Sequence, residues 1–199
     1  MSVATTQGVS LTGLEGEIVQ IEVDVSKGLP GYQLLGLPDA ALHESRDRIR
    51  SAINNSGKRW PQTKVTVSLS PAWLPKSGSG FDLPISIAIL SATDQVAQKN
   101  FDKTILIGEL SLEGALRPVR GVLPMLISAA KHGMKRAIVP EQALTPPAYT
   151  HLLRLRREGP ARPGHGSLLT KVESLLLFCV PHESARQFVA FEAVARHKC

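Results

Sequence analysis

Residues 75–90 read PKSGSGFDLPISIAIL, a turn of Pro, Lys, Gly and Ser that runs straight into an apolar segment. From Asp82 to about Val96 the segment has almost no polar side, and a helix of that kind belongs inside a core. Burying each of its Leu and Ile side chains contributes roughly 1.5 to 3 kcal/mol, so this helix anchors the domain. A Gly/Ser-rich turn ahead of a helix is also where some proteins place a nucleophilic serine and others wrap a phosphate. The surrounding chain decides between these uses.

Outward from that stretch, the apolar periods are regular. Val19, Ile21, Val23 and Val25 alternate with Gln20, Glu22 and Asp24, the period of two of a half-buried strand. GLPGYQLLGLP follows, a short apolar run with Gly-Leu-Pro at both ends. Asp39 is suited to cap a helix whose Leu42, Ser45, Ile49, Ala52 and Ile53 share one face, and Gly57 is suited to end it. Lys64 to Ser70 alternates again, with Val65, Val67 and Leu69 on one side. Beyond the quoted helix, Thr104–Leu112 reads as a strand that returns through a turn at Glu113 and Gly114 to Leu116–Val119. Pro124–His132 fits a helix ending at Gly133, and Arg136–Val139 a short strand. The order three strands, helix, strand, helix, hairpin, helix, strand defines an α/β two-layer sandwich.

Composition narrows the class further. At 199 residues and 43% hydrophobic, the chain can bury one compact core plus an appendage. No window approaches about 18 consecutive apolar residues, and MSVATTQGVS has neither a basic nor an apolar leader region. A cytoplasmic protein with no membrane partner is expected. Cys179 and Cys199 form no CxxC pair and lie at no zinc-finger spacing from a histidine, so neither metal nor disulfide framework is expected.

The chain changes character near Gln142. Up to that residue, 15 Lys and Arg face 13 Asp and Glu; from Ala143 onward the ratio is 8 to 4, with four of the six histidines and no Asp. We therefore divide it into a domain over 1–142 and a basic, irregular tail over 143–199. Two tail runs, LLTKVESLLLFCV and ESARQFVAFEAVARH, have the pattern of amphipathic helices.

Three segments carry a family resemblance: EIVQIEVDVSKGLPGYQLLGLPDAALHESRDRIRSAINNSG, SLSPAWLPKSGSGFDLPISIAIL and GELSLEGALRPVRGVLPMLISAAKHGMKRAIVP. In this order they resemble the N-terminal domain of the ComM/YifB-type magnesium-chelatase-like AAA+ ATPases, over about residues 8–142. The resemblance implies a Lon-protease-like fold, related to the second domain of a small-subunit ribosomal protein. It further implies that the domain precedes an ATPase module using ATP and Mg, whose bacterial ComM members act as hexameric helicases in natural transformation. DNA and neighbouring copies in a ring are the partners it implies. After VPEQ the tail departs from the family pattern. It reads as a truncated or frameshifted frame or, alternatively, as a genuine basic extension.

Lon-type proteases pair a serine in a PKDGPSAG-like turn with a lysine after a GGLKEK-like stretch, the amine taking the hydroxyl proton. By that resemblance Gly80 occupies the serine position and Met125 the lysine position, so the dyad is degenerate. Ser77 and Ser79 remain nearby, while Lys131 lies almost two helical turns beyond Met125. The phosphate reading fails on spacing, since GxxxxGK[ST] occurs nowhere in the chain. No cofactor is expected here.

The remaining candidates each have a plain reading. Glu109 and Glu113 flank the hairpin near Arg117 and Arg120, as surface ion-pair partners do. Asp82 is placed to cap the buried helix. Arg46, Arg48, Arg50, Lys58 and Arg59 cluster with Trp60, a set able to contact phosphates and stack on a base, although Glu44 and Asp47 lie among them. The expected function is that of a noncatalytic assembly domain of a ComM-like ATPase, detached from its ATP site. The alternatives are a free-standing nucleic-acid-binding protein and, third, a residual serine peptidase.

Overall fold

The computed structural model describes residues 2–140 and 176–180. The alternation at Val19–Val25 lies within a long strand β2 (Glu15–Ser26), hairpinned antiparallel to β1 (Ser2–Thr12) with Val9 opposite Ile18 and Ala4 opposite Val23. The sequence reading gave β1 no limits, and its inward row explains why. Ala4, Thr6, Gly8 and Ser10 are small, and two are polar. Thr6 donates its hydroxyl to the Pro84 carbonyl at 2.9 Å and Ser10 to the Pro75 carbonyl at 3.0 Å, so both are buried with a partner. A Cβ at Gly8 would stand 3.1 Å from the Phe81 ring. Small side chains let the quoted turn and its helix press onto the central strand, at the expense of the apolar alternation that marks a strand in sequence.

GLPGYQLLGLP supplies β3 (Gly31–Leu35), parallel to β4 (Lys64–Ser70), which pairs antiparallel with β2. Gly36 turns the chain out of β3 at φ +102, where a Cβ would lie 2.1 Å from the Leu69 carbonyl oxygen; only glycine fits. On the far side of β1 come β5 (Thr104–Leu106) and then β8 (Arg136–Pro140), both parallel to it in turn. The seven-stranded order is β3-β4-β2-β1-β5-β8-β9, the last strand being Leu176–Val180. Thr104–Leu112 is therefore not one strand. After Ile107 the backbone turns at Gly108, whose N–H goes to the Gly80 carbonyl at 3.0 Å, and Glu109–Leu110 (β6) pairs instead with Leu116–Arg117 (β7) in a separate ribbon.

Helix α1 (Ala40–Asn55) buries the five residues its period selected, Leu42, Ser45, Ile49, Ala52 and Ile53. Its cap is Asp39, whose Oδ1 accepts the Leu42 N–H at 2.8 Å. Helix α2 (Asp82–Ala92) is buried at every position, lying against β1 and β2 with α1 packed on it; it ends at Ala92, short of the expected Val96. Alternation along the strands assigns the two cores to opposite faces. Ile21, Val67 and Ile138 face α1 and α2, while Val9, Ile105, Ala137 and Val139 face α3 (Val122–Lys131). The α/β class thus stands, with α3 adding cover to the second face over β2 and β1 and its apolar side chains reaching those of β5 and β8. Ser128 on α3 accepts the Gly16 N–H at 3.0 Å and pins the helix to β2.

The tail reading lies mostly outside the described residues. Within LLTKVESLLLFCV, residues 176–180 form a strand rather than part of an amphipathic helix. Short apolar runs fit either period, and here the edge of β8 supplies backbone partners for a strand.

Candidate functional site

The turn of residues 75–81 is gripped from three sides. Lys76 bridges to the segment entering α1: its N–H donates to the Leu37 carbonyl at 3.3 Å, and its own carbonyl accepts the Asp39 N–H at 3.1 Å. Asp39 returns the contact, its Oδ2 accepting the Gly78 N–H at 3.0 Å. The Lys76 side chain is fully buried and its ammonium donates to the Pro71 carbonyl. Burial lowers its pKa, because the charged form loses water without gaining an opposite charge.

Asp82 is not the cap of α2; Phe81 holds that position without a side-chain bond. The Asp82 carboxylate accepts from Arg48 Nε at 2.9 Å and Nη2 at 3.2 Å, and from the Leu110 N–H at 3.2 Å. One carboxylate thereby joins α1, α2 and β6. Arg48 comes from 34 positions away, which no local capping rule anticipates. Burial raises the Asp82 carboxyl above the usual carboxylate range even with these donors on it. The pairing raises Arg48, whose side chain is 24% exposed against 0% for Asp82. The guanidinium keeps some hydration, so the desolvation of the pair falls on the carboxylate.

Glu109, read as a surface partner of arginine, accepts the Ser79 hydroxyl instead. This fixes Ser79 with a carboxylate, and among the described residues no lysine or histidine is hydrogen-bonded to it. A Cβ built on Gly80 would meet nothing nearer than Val119 Cγ2 at 4.0 Å, so the position has room for a side chain that the sequence lacks. Met125 packs with Val119 against Val9, Ile105 and Leu126, an apolar setting. Gly80 and Met125 therefore present neither nucleophile nor base.

The basic cluster divides. Arg46 and Arg50 are exposed on α1, Arg59 is exposed and Lys58 half-buried in the loop after it, but Arg48 is committed to Asp82. Trp60 is half-buried with its ring centroid 6.0 Å from that of Tyr32, and Arg46 lies 6.0 Å over the same Tyr32 ring. Trp60, read as able to stack on a base, is packed against the core with part of its surface. Burial raises the Tyr32 phenol well above its ordinary value. Ser45 faces it without completing a hydrogen bond, its own hydroxyl donating to the Leu42 carbonyl at 2.6 Å. Among the described residues no group of three or more His, Cys, Asp or Glu could hold a metal ion, and no helix is long and apolar enough to cross a membrane.

An α/β domain whose Gly/Ser-rich turn runs into a fully buried helix is the class these features define. Residues 21–143 match the family described as subunit ChlI of Mg-chelatase, and the chain belongs to that family. It is 49% identical over 144 residues to the protein Rv2897c of Mycobacterium tuberculosis (strain ATCC 25618 / H37Rv), a stretch covering 72% of this chain and 29% of that one. YifB of Escherichia coli K12 is 44% identical over 135 residues, 68% of this chain and 27% of its own. Competence protein ComM of Haemophilus influenzae is 41% identical over 143 residues, 72% of this chain and 28% of its own. A more distant likeness, 26% over 147 residues, reaches Lon protease of Trichlorobacter lovleyi across 70% of this chain and 18% of that protein. The match thus spans less than a third of the length of each of these relatives.

Proposed function

We propose that residues 1–142 form the noncatalytic N-terminal domain of a cytoplasmic ComM-like ATPase. Its part is to join neighbouring subunits or guide DNA in recombination and natural transformation, while a module outside the domain binds ATP and magnesium. The observation carrying this reading is the turn itself: Gly80 has no side chain, Met125 is packed among apolar residues, and the Ser79 hydroxyl meets a carboxylate. Purified chain, assayed with an unfolded protein substrate and with ATP, is expected to turn over neither. Peptide cleavage or ATP hydrolysis that persists through purification and disappears in Ser79→Ala would overturn it.

A second reading, nucleic-acid contact, rests on the exposed Arg46, Arg50 and Arg59 with Lys58 beside them. Each phosphate contact contributes about −0.9 to the slope of log affinity against log salt for duplex DNA, so four cations give at most about −3.6. A steeper slope would require further cations, and a flat one would end this reading.

A further inference from the structure

We infer that Leu176–Val180 is a built-in edge strand: it fills the strand-accepting edge of β8 in cis and keeps that edge from pairing with an extended segment of another chain. Family likeness stops at residue 143, three residues beyond the end of β8. What then covers β8 comes from outside the matched region. Five consecutive residues pair in parallel register, Arg136 with Leu176 through Pro140 with Val180. Residues 141–175 connect the two strands, well above the dozen or so residues a parallel crossover needs.

The edge so covered is blunted only at its ends, by Arg136 and Pro140, and its centre is apolar. Ala137, Ile138 and Val139 are buried and uncharged, with Arg136 the only charge in the strand. An apolar centre of this kind is a template for another chain. The opposite edge is managed differently: β3 is five residues long and lies between Pro30 and Pro38, which cannot donate to a ladder. β3 is thus blunted by its flanking prolines, while β8 is covered by a segment that follows the family domain and itself becomes the outer strand. The partner class excluded by β9, and admitted by its loss, is an extended apolar peptide or a second copy of this chain.

The first test is a cross-link in the full chain. Cys179 is the register partner of Val139. Neighbouring strands lie about 4.8 Å apart, within the roughly 4.4–6.8 Å between Cα atoms that a disulfide spans. Val139→Cys combined with Cys199→Ser is expected to close an intrachain bond to Cys179 on mild oxidation, where Lys131→Cys in the same background does not. Closure no better than that control, or a bond between two copies, would overturn the inference.

The second test weakens the strand. The Ile138 carbonyl accepts the Ile107 N–H and the Arg136 N–H donates to Lys103, so those two residues face β5 and the N–H groups of Ala137 and Val139 face β9. Leu177→Pro with Phe178→Pro is expected to speed amide exchange at Ala137 and Val139 by about tenfold or more while Ile85–Leu90 stay protected. A peptide of residues 174–180 added in trans should restore the slow rate. Equal exchange at Ala137 and Val139 in both proteins would contradict the assignment.

Discussion

Arg46 and Arg48 stand two residues apart on α1 and meet opposite surroundings. Arg48 turns into the junction of α1, α2 and β6 and holds a fully buried carboxylate; Arg46 stays outside, over the Tyr32 ring. The inner region gathers Lys76, Asp82, Glu109 and Ser79 around a turn with no nucleophilic pair. The outer carries charges without a fixed carboxylate partner among the described residues. The difference shows that polar density around a Gly/Ser turn is not a sign of catalysis when each group has a structural partner, and that a basic run in sequence overstates the cations free to meet a phosphate.

The widest gap between the two regions is expected from removing each arginine in turn. Arg48→Met leaves the Asp82 carboxylate buried without its partner and should lower stability by about 3–5 kcal/mol at pH 7, measured by urea unfolding. The pH dependence has a definite sign. A carboxyl whose folded pKa lies above its unfolded one keeps its stabilising share below the unfolded value and loses it as pH rises through the folded value. Loss of Arg48 raises the folded value further, so the variant should be less impaired near pH 4 than at pH 7. Replacing both partners, Arg48→Met with Asp82→Leu, should recover part of the loss.

Lys76→Met tests the inner region from its other charge. The folded pKa of Lys76 is lowered, so the unfolded chain binds more protons between the two values and stability rises with pH through that window, up to about pH 10.4. The variant lacks this rise. Relative to the parent it should therefore fall behind as pH increases, reaching about 1–3 kcal/mol where the neutral amine still serves the Pro71 carbonyl and the methionine does not. Asp39→Ala removes the cap of α1 together with the bond to Gly78 and should lower stability by about 1 kcal/mol in the same assay.

Much of this arrangement was readable from one sequence, because it follows local periods. The strands through Val19–Val25 and Val65–Leu69, the face of α1 and the buried character of α2 all rest on repeats of two or 3.6. What escaped depends on partners distant in the chain. The inward row of β1 is small and polar because α2 presses on it, and Thr6 finds its acceptor 78 positions away. Asp82 looked like a cap because a carboxylate before an apolar helix usually is one, whereas its donors lie at Arg48 and Leu110. Thr104–Leu112 continued as a strand in sequence, and only the contact of Gly108 with Gly80 breaks it. Residues 176–180 carry no signal separating strand from helix until β8 is beside them.

The smallest effects belong to the outer region. Arg46→Ala should cost about 0.5–1 kcal/mol through its place over Tyr32, and Arg50→Ala within about 0.5 kcal/mol either way. If both leave stability nearly intact while lowering affinity for duplex DNA, the contrast with Arg48 is sharpened into a division between folding and binding.

The measurement closest to the central claim is the intact mass of the chain after exposure to a fluorophosphonate, with Ser79→Ala alongside. A hydroxyl held by Glu109, beside a Gly80 without a side chain and a Met125 without a base, should give no adduct in either protein. An adduct on Ser79, absent from the alanine variant, would mean that the turn retains an activated nucleophile and would contradict the noncatalytic reading.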